Sequence, residues 1–207
     1  VSLDCQMVTR DRPSLMNRLF KSAEIGDPIL REPTAELTAD WLAQVEMQQV
    51  IDDLVETMRA AKGAGLAANQ VHQSLRICAI EVRDNPRYPY RPNIPLTILV
   101  NPVLTPAGDD MFENYEGCLS VPNLRGKVDR YSVVDVSAMD RNGAPIQTRV
   151  KGMTAATYQH EVDHLNGLLF LDRVGDSRSL VTGEHFERYH LQQVAENVGK
   201  VVAQYGS

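Results

Sequence analysis

The sequence is poor in cysteine, with three such residues among 207. An odd and small number does not build the paired framework of a disulfide-rich secreted domain. It favours a reducing compartment, where a thiol can serve as a metal ligand or a nucleophile. Taken one at a time, Cys5, Cys78 and Cys118 are each expected to be inert and buried, as free cysteines usually are.

Long hydrophobic runs are also missing. No stretch approaches the roughly 20 consecutive apolar residues of a membrane span. The first twenty residues lack the apolar segment of a secretory signal, and their acidic residues argue against an organellar transit peptide. We therefore expect a cytoplasmic protein without a membrane partner.

Positive charge is not in excess, because 27 acidic residues outnumber 21 basic ones and the net charge is −6. Sequence-independent binding to nucleic acids depends on Lys and Arg, so direct nucleic-acid binding is not expected. The apolar content of 43% and the charged content of 23% are ordinary for a globular protein. The length of 207 residues suits one domain.

Helical periodicity is present in three stretches. Apolar side chains recur at helical spacing over residues 41–61, 153–166 and 183–204. Thr38 and Thr182 are placed to cap the first and the last of these helices.

Strand signals fill the region between the first two helices. Aliphatic runs at 75–82 and 96–104, bounded by Gly, Asn and Pro, predict strands. A turn at 140–143 predicts a hairpin, in which a strand at 131–139 returns as one that ends at Val150. Helix, several strands, helix and helix predict an α+β fold with antiparallel or mixed strands instead of alternating βαβ units.

The segment His160–His164 has the pattern H-E-x-x-H inside the second helix. One helical turn separates the two imidazoles, so they can hold one metal ion, and Glu161 lies beside them as an acid/base. The alternative is a pair of ordinary polar residues on a surface helix.

A catalytic metal usually has three protein ligands and a water, so one more ligand is needed. Glu184 follows His164 by twenty residues, a spacing similar to that of thermolysin-like zinc proteases. Cys118 is the other candidate. The pattern alone leaves both open.

Three separated segments resemble the motifs of the peptide deformylase family. Residues 63–70, GAGLAANQ, resemble G-x-G-L-A-A-x-Q; residues 116–120 match E-G-C-L-S; residues 159–167, QHEVDHLNG, resemble Q-H-E-x-D-H-L-x-G. The order agrees with the family, and the likeness runs from about residue 25 to about residue 174.

The resemblance implies an α+β fold with antiparallel or mixed sheets around a central metal-binding HExxH helix, plus an N-terminal and a C-terminal helix. It implies a single catalytic domain over 1–207, with an N-terminal arm at 1–23, a deformylase core at 24–174, and a tail and helix at 175–207.

The implied enzyme is a metal-dependent hydrolase that removes the formyl group from the N-terminal formyl-methionine of newly made peptides and releases formate. The resemblance makes Cys118, His160 and His164 the ligands of one divalent metal ion. Fe²⁺ is the expected native ion, with Zn²⁺, Ni²⁺ or Co²⁺ able to substitute. A metal-bound water is the expected nucleophile, and Glu161 the general acid/base.

The oxyanion formed on attack is expected to meet the side-chain amide of Gln70, the backbone N–H of Leu119 and the metal. Taken alone, Gln70 would be a turn or helix-cap residue. Arg125 and Arg130 are expected to orient the substrate backbone or Glu116, unless they are solvated surface residues. The resemblance implies that the following residues bind substrate: Gly63, Ala64, Gly65, Gly117, Arg125, Ala156 and Thr157.

The side-chain pocket is expected to be narrow and apolar, to suit methionine. The sequence departs from the bacterial pattern there, because Asn114, Ala156 and Thr157 stand where larger or more apolar side chains are expected, and Ala64 stands where a bulkier one is frequent. Wider tolerance, for formyl-norleucine as an example, is therefore expected.

The implied partners are N-formylmethionyl nascent peptides, with the ribosome nearby, in a bacterial cytoplasm in preference to an organelle. The apolar stripe of the C-terminal helix is expected to pack on the protein's own body or on a second copy, so the chain is a monomer or a homodimer. The competing class is a non-catalytic binding module that keeps the family's residues.

Overall fold

The computed structural model describes residues 19–85 and 90–207. Most of the arm predicted at 1–23 lies outside these residues. The strands in order are β1 Gly65–Ala67, β2 Ile77–Val82, β3 Ile94–Pro106, β4 Met111–Cys118, β5 Val121–Tyr131, β6 Val133–Met139, β7 Pro145–Lys151 and β8 Val181–Thr182. The helices are α1 Ala39–Leu42, α2 Val45–Ala60, α3 Gly152–Leu165, α4 Gly183–Tyr189 and α5 Leu191–Tyr205.

The strands form two antiparallel sheets. The larger has the order β1-β2-β3-β6-β7 and the smaller the order β4-β5-β8. The predicted α+β class with antiparallel strands is confirmed. Strand β1 ends the larger sheet and β4 ends the smaller one.

Helix α3 lies between the two sheets and contacts strands of both. Most of its residues are buried, including Ala155, His164 and Leu165 with exposed fractions of 1% or less. Such all-round burial explains why its sequence has a weak apolar stripe. The helix ends just before Gly167, whose positive φ of 77° suits a glycine after a helix.

The predicted helix at 41–61 is two helices. Thr38 caps α1 through a hydrogen bond from the backbone N–H of Trp41, as expected. The helical path stops after Leu42 and restarts at Val45. The apolar spacing continues through the break, so periodicity alone does not detect it.

The predicted C-terminal helix at 183–204 is also two helices, separated at His190. Thr182 caps α4 by accepting a hydrogen bond from the N–H of His185. In α5, Val194 and Val198 are buried in a cluster with Met153 and Phe186. The apolar stripe therefore packs on the protein's own body.

Strands β4 and β5 are a hairpin that the sequence patterns did not predict. Their inward positions include charged residues such as Glu116 and Arg130, each 3% exposed. A strand whose buried face carries charges lacks the alternation of apolar and polar residues on which strand prediction depends.

None of the helices in the described part of the chain has the length and apolar character that a membrane span requires.

Candidate metal centre

Three side chains from two elements converge on one point. The ligand atoms of Cys118, His160 and His164 all lie within 4.8 Å of one another. The Sγ atom of Cys118 is 3.1 Å from Nε2 of His164. The two imidazole rings have centroids 5.0 Å apart and lie nearly perpendicular to each other.

The secondary structure accounts for this convergence. His160 and His164 are four residues apart on α3, so both project from one face of the helix. Cys118 is the last residue of β4, where the chain turns into β5. The site therefore joins the central helix to the smaller sheet.

A buried ion network holds His160 in place. Its Nδ1 lies 2.8 Å from Oε2 of Glu116, which leaves Nε2 directed to the ligand cluster. Glu116 in turn accepts two hydrogen bonds from Arg130, at 2.8 and 2.9 Å. Arg130 also donates to Asp163, which accepts from Arg173. Partners of this kind fix the orientation and tautomer of a metal-ligating histidine.

The network determines the charges at the site. Burial alone would raise the pKa of Glu116, but Arg130 and then His160 hold this pKa well below its ordinary range. Burial also opposes ionisation of Cys118, yet His164 and His160 lower the pKa of its thiol well below the ordinary value. Both groups are therefore anionic at neutral pH, and a thiolate is the form of cysteine that binds metals.

Gln70 lies beside the thiol. Its Oε1 accepts from the backbone N–H of Ala67 at 2.8 Å, which fixes the orientation of the amide. Its Nε2 is then 3.4 Å from Cys118 Sγ and 3.1 Å from Ser120 Oγ. Gln70 is thus a cap residue that also presents an N–H donor at the ligand cluster.

Glu161 is 4% exposed and lines the same cavity as Cys118 and His160. Its Oε2 is buried without a hydrogen-bond partner among the described residues. Burial raises the pKa of Glu161 to about 7, against the opposing charges of His160 and His164. A carboxylate that titrates near neutral pH suits a general acid/base.

The donor set fits a divalent transition metal. One thiolate and two imidazoles are ligands that Zn²⁺ and Fe²⁺ both accept, and three protein ligands leave a position for water or substrate. Glu161, whose Oε2 has no partner among the described residues, lines the cavity that Cys118 and His160 also line. The residues present therefore fit a divalent metal ion.

Comparisons with known proteins agree with this geometry. Residues 20–179 match the family model described as polypeptide deformylase. A peptide deformylase of Nitrosomonas europaea is 43% identical over 155 residues, which cover 75% of this chain and 87% of the relative.

A second relative, from Prochlorococcus marinus, is 44% identical over 162 residues, 77% of this chain and 83% of the relative. The chain belongs to the polypeptide deformylase family. The predicted family and enzyme class are confirmed.

Solved structures of deformylases have the same fold. The class I type b peptide deformylase of Acinetobacter baumannii, solved with Met-Ala-Ser bound, has a TM-score of 0.74 and 38% identity. The match covers 77% of this chain and all of that one. The peptide deformylase of Thermotoga maritima has a TM-score of 0.68 and 28% identity, and the match covers 77% of this chain and 99% of that one.

Most of the residues predicted to bind substrate or assist a deformylase reaction do meet at the ligand cluster. They line the cavity together with Cys118, His160 and Glu161: Gly63, Ala64, Gly65, Gln70, Gly117, Leu119, Ala156 and Thr157.

Gly65 makes room for Glu161, because a Cβ at residue 65 would lie 2.4 Å from Oε1 of Glu161. A larger residue at this position would displace the carboxyl group of Glu161 and cover the backbone of β1.

Other predicted residues lie elsewhere. Arg125 pairs with Gly117 across the hairpin, and its guanidinium lies 4.6 Å from the centre of the Phe186 ring. It lines a neighbouring cavity, which Gly117 and Cys118 also line. Arg130 is a buried network residue, so the surface alternative for it is wrong. Glu184 is exposed on α4 and outside the ligand cluster, which removes the thermolysin-like alternative. Asn114 is buried but does not line the cavity that Cys118, His160 and Glu161 share.

Arg91 was missed by the sequence predictions, yet it lines the metal cavity. It follows β2 in a proline-rich connection, which by itself predicts only an irregular loop. Arg173 was also missed. Its ion pair with Asp163 joins the segment after α3 to the buried ion network that holds His160. No pattern in the sequence links Arg173 to Asp163.

Proposed function

We propose that the chain hydrolyses the N-terminal formyl group of newly made peptides that begin with formyl-methionine, and releases formate. The observation that carries the proposal is the cluster of Cys118, His160 and His164 beside the buried carboxyl group of Glu161. The Acinetobacter relative was solved with Met-Ala-Ser, a peptide that this reaction would leave.

Helix α3 is the proposed metal-binding helix. It supplies His160 and His164, and β4 supplies Cys118, to hold one divalent ion, with Fe²⁺ as the native ion and Zn²⁺, Ni²⁺ or Co²⁺ as substitutes. When bound, such an ion would polarise a carbonyl and lower the pKa of a coordinated water to near neutral. The hydrogen bond between Glu116 and His160 Nδ1 reserves the other ring nitrogen for this role.

Glu161 is the proposed acid/base. Its buried Oε2 has no hydrogen-bond partner in the described part of the chain, so it is ready to take a proton from the attacking water. It would then deliver that proton to the leaving amine. A pKa raised to about 7 favours both halves of this transfer.

Gln70 and Leu119 are the proposed donors to the developing oxyanion. The amide of Gln70 is held by Ala67 and by Ser120 with its Nε2 facing the thiolate side of the cavity. Leu119 follows Cys118 directly, so its backbone N–H is fixed by the turn between β4 and β5. Donors fixed before the reaction stabilise charge without reorganisation.

An extended peptide is the substrate shape that the cavity favours. The cavity is lined by Gly65 of edge strand β1 and by Gly117 of edge strand β4. Both edges offer backbone groups, and a bare glycine lets another backbone approach closely. A substrate would therefore lie as an added strand between them.

The division of the chain into an arm at 1–23, a catalytic core at 24–174 and a tail at 175–207 is part of the same proposal. The tail packs against the strand that carries Cys118, because Phe186 of α4 contacts Tyr115 of β4 with ring centroids 5.3 Å apart. Ribosome proximity, oligomeric state and the native ion stay predictions.

The test is formate release from formyl-Met-Ala-Ser by anaerobically purified protein, with metal content measured on the same sample. We expect turnover with one divalent ion per chain, and loss of the ion in Cys118→Ala. Absence of turnover in metal-replete protein would reject the proposed reaction. Full metal content in Cys118→Ala would reject the ligand set.

A further inference from the structure

Arg91 brings a guanidinium group to the cavity that Cys118 and His160 line. It is half-buried and lines that cavity together with Ala64, Ala156 and Thr157. Its Nη1 donates a hydrogen bond to Oγ1 of Thr157 at 3.2 Å. Thr157 precedes His160 by three residues on α3, so this arginine lies about one helical turn from a metal ligand.

The proposed reaction places the first side chain of a substrate in this part of the cavity. When a formyl carbon sits at the ligand cluster, that side chain begins only a few bonds away. The remaining wall combines two alanines, which leave room, with Thr157 and Arg91. The hydroxyl of Thr157 donates to the backbone oxygen of Met153, so its proton is already committed. Arg91 is therefore the hydrogen-bond donor of this wall.

A guanidinium group in such a position favours an acceptor. It carries N–H donors and no acceptor, so an oxygen on the substrate side chain could accept a hydrogen bond there, whereas an apolar chain end could not. A neutral oxygen suits the site better than a carboxylate, because Glu116 and Glu161 line the same cavity and like charges repel. Methionine sulfoxide has such an oxygen on a side chain of methionine's length.

We infer that Arg91 determines side-chain selection by donating to an oxygen acceptor on the substrate's first residue, so that peptides beginning with formyl-methionine sulfoxide are substrates alongside those beginning with formyl-methionine. The inference rests on the proposed function and names the substrate class of the same site. It replaces the narrow apolar pocket expected from the sequence with one that has a polar wall.

Three substrates of matched length isolate the acceptor: formyl-X-Ala-Ser with norleucine, methionine or methionine sulfoxide as X. For the metal-loaded wild type, we expect kcat/KM on the sulfoxide to equal or exceed that on norleucine. Arg91→Met should lower the sulfoxide-to-norleucine ratio of kcat/KM at least about tenfold, because a site that loses a hydrogen-bond donor discriminates against the polar ligand.

Two further variants serve as controls. Arg91→Lys keeps the charge and loses the planar fork, so its ratio should fall in between. Arg83→Met removes an exposed arginine of the same connection that does not line the cavity. Its ratio should equal that of the wild type. A ratio unchanged in Arg91→Met, or an equal loss on all three peptides, would overturn the inference.

Binding gives a readout that does not depend on turnover. In the Glu161→Gln background, calorimetric titration of the three formyl peptides should show the same tenfold loss of relative sulfoxide affinity when Arg91→Met is added. If the wild type failed to turn over formyl-methionine, the proposed function would fail, and this titration would still decide the role of Arg91. Equal relative affinities with and without Arg91 would overturn that role.

Discussion

Two arginine–carboxylate pairs in this molecule share one geometry and differ in burial. Arg130 donates to both oxygens of Glu116 at 2.8 and 2.9 Å, across the hairpin of β4 and β5. Arg149 donates to both oxygens of Asp135 at 2.7 and 2.8 Å, across the hairpin of β6 and β7. The side chains of the first pair are 3% exposed, and those of the second are 56% and 47% exposed.

The difference shows what a bidentate ion pair can do in each place. In the interior, Glu116 also holds His160 and Arg130 also holds Asp163, so the pair is one part of the metal site. Removing either partner would leave a buried charge without compensation. At the surface, water and salt screen the attraction between the two charges, so the pair of Arg149 and Asp135 contributes little to the stability of the fold.

The largest effect should come from breaking the buried pair. Arg130→Met leaves the carboxylates of Glu116 and Asp163 buried without their shared cation. We expect a loss of about 3–5 kcal/mol of unfolding free energy, measured by urea denaturation of the metal-free protein. An unchanged denaturation midpoint would show that the interior pair is no more important than a surface one.

A smaller effect should appear in metal binding when only the acceptor is changed. Glu116→Gln keeps the size but weakens the hold on His160 Nδ1, so the ring loses its fixed orientation. Loss of such a partner typically lowers metal affinity about 10–100-fold. Competition with a chelator measures this loss, and Asp135→Asn should leave the affinity unchanged. Equal affinities in Glu116→Gln and wild type would contradict the proposed role of Glu116.

Low pH should change the unfolding free energy of the wild type more than that of Glu116→Gln. The folded state lowers the pKa of Glu116, through Arg130 and His160 against the opposing effect of burial. A depressed pKa contributes stability that is present above the unfolded value of about 4.3 and is lost as the pH falls through the folded pKa. The unfolding free energy of the metal-free wild type should therefore fall below about pH 4.3. Glu116→Gln should fall less steeply, by up to about 1.4 kcal/mol per pH unit. Parallel curves would reject this linkage.

The smallest effect is expected at the surface pair. Arg149→Met removes both hydrogen bonds to Asp135 at a site where both side chains are exposed. The urea midpoint and the metal content should match those of the wild type, and added salt should not separate the two proteins. A midpoint shift as large as that of Arg130→Met would mean that burial does not distinguish the pairs.

The sequence predicted the fold where side-chain spacing is regular. The three helical stretches and the hairpin of β6 and β7 were located from apolar periodicity and turn residues. The breaks after Leu42 and at His190 were missed, because the apolar spacing continues through them. Strands β4 and β5 were missed because their buried face holds charges, whose partners are distant in the chain.

The candidate site could be predicted further than the fold around it. The spacing of His160 and His164 indicated a metal by itself, but it left Glu184 and Cys118 open as the third ligand. The likeness of residues 116–120 to a family motif favoured Cys118, and the structure brings that thiol to the two imidazoles. Arg91 could not be found, since only the folded chain carries its loop to α3.

Glu161 moves the proton in the proposed hydrolysis at this metal centre, and one variant tests this role directly. Glu161→Gln keeps the shape of the side chain and removes the base. With about one metal ion per chain retained, kcat on formyl-Met-Ala-Ser should fall at least about a hundredfold, a barrier increase of roughly 3 kcal/mol or more. A metal-replete Glu161→Gln protein that keeps more than about a tenth of the wild-type kcat would contradict the account, because another group would then be moving the proton.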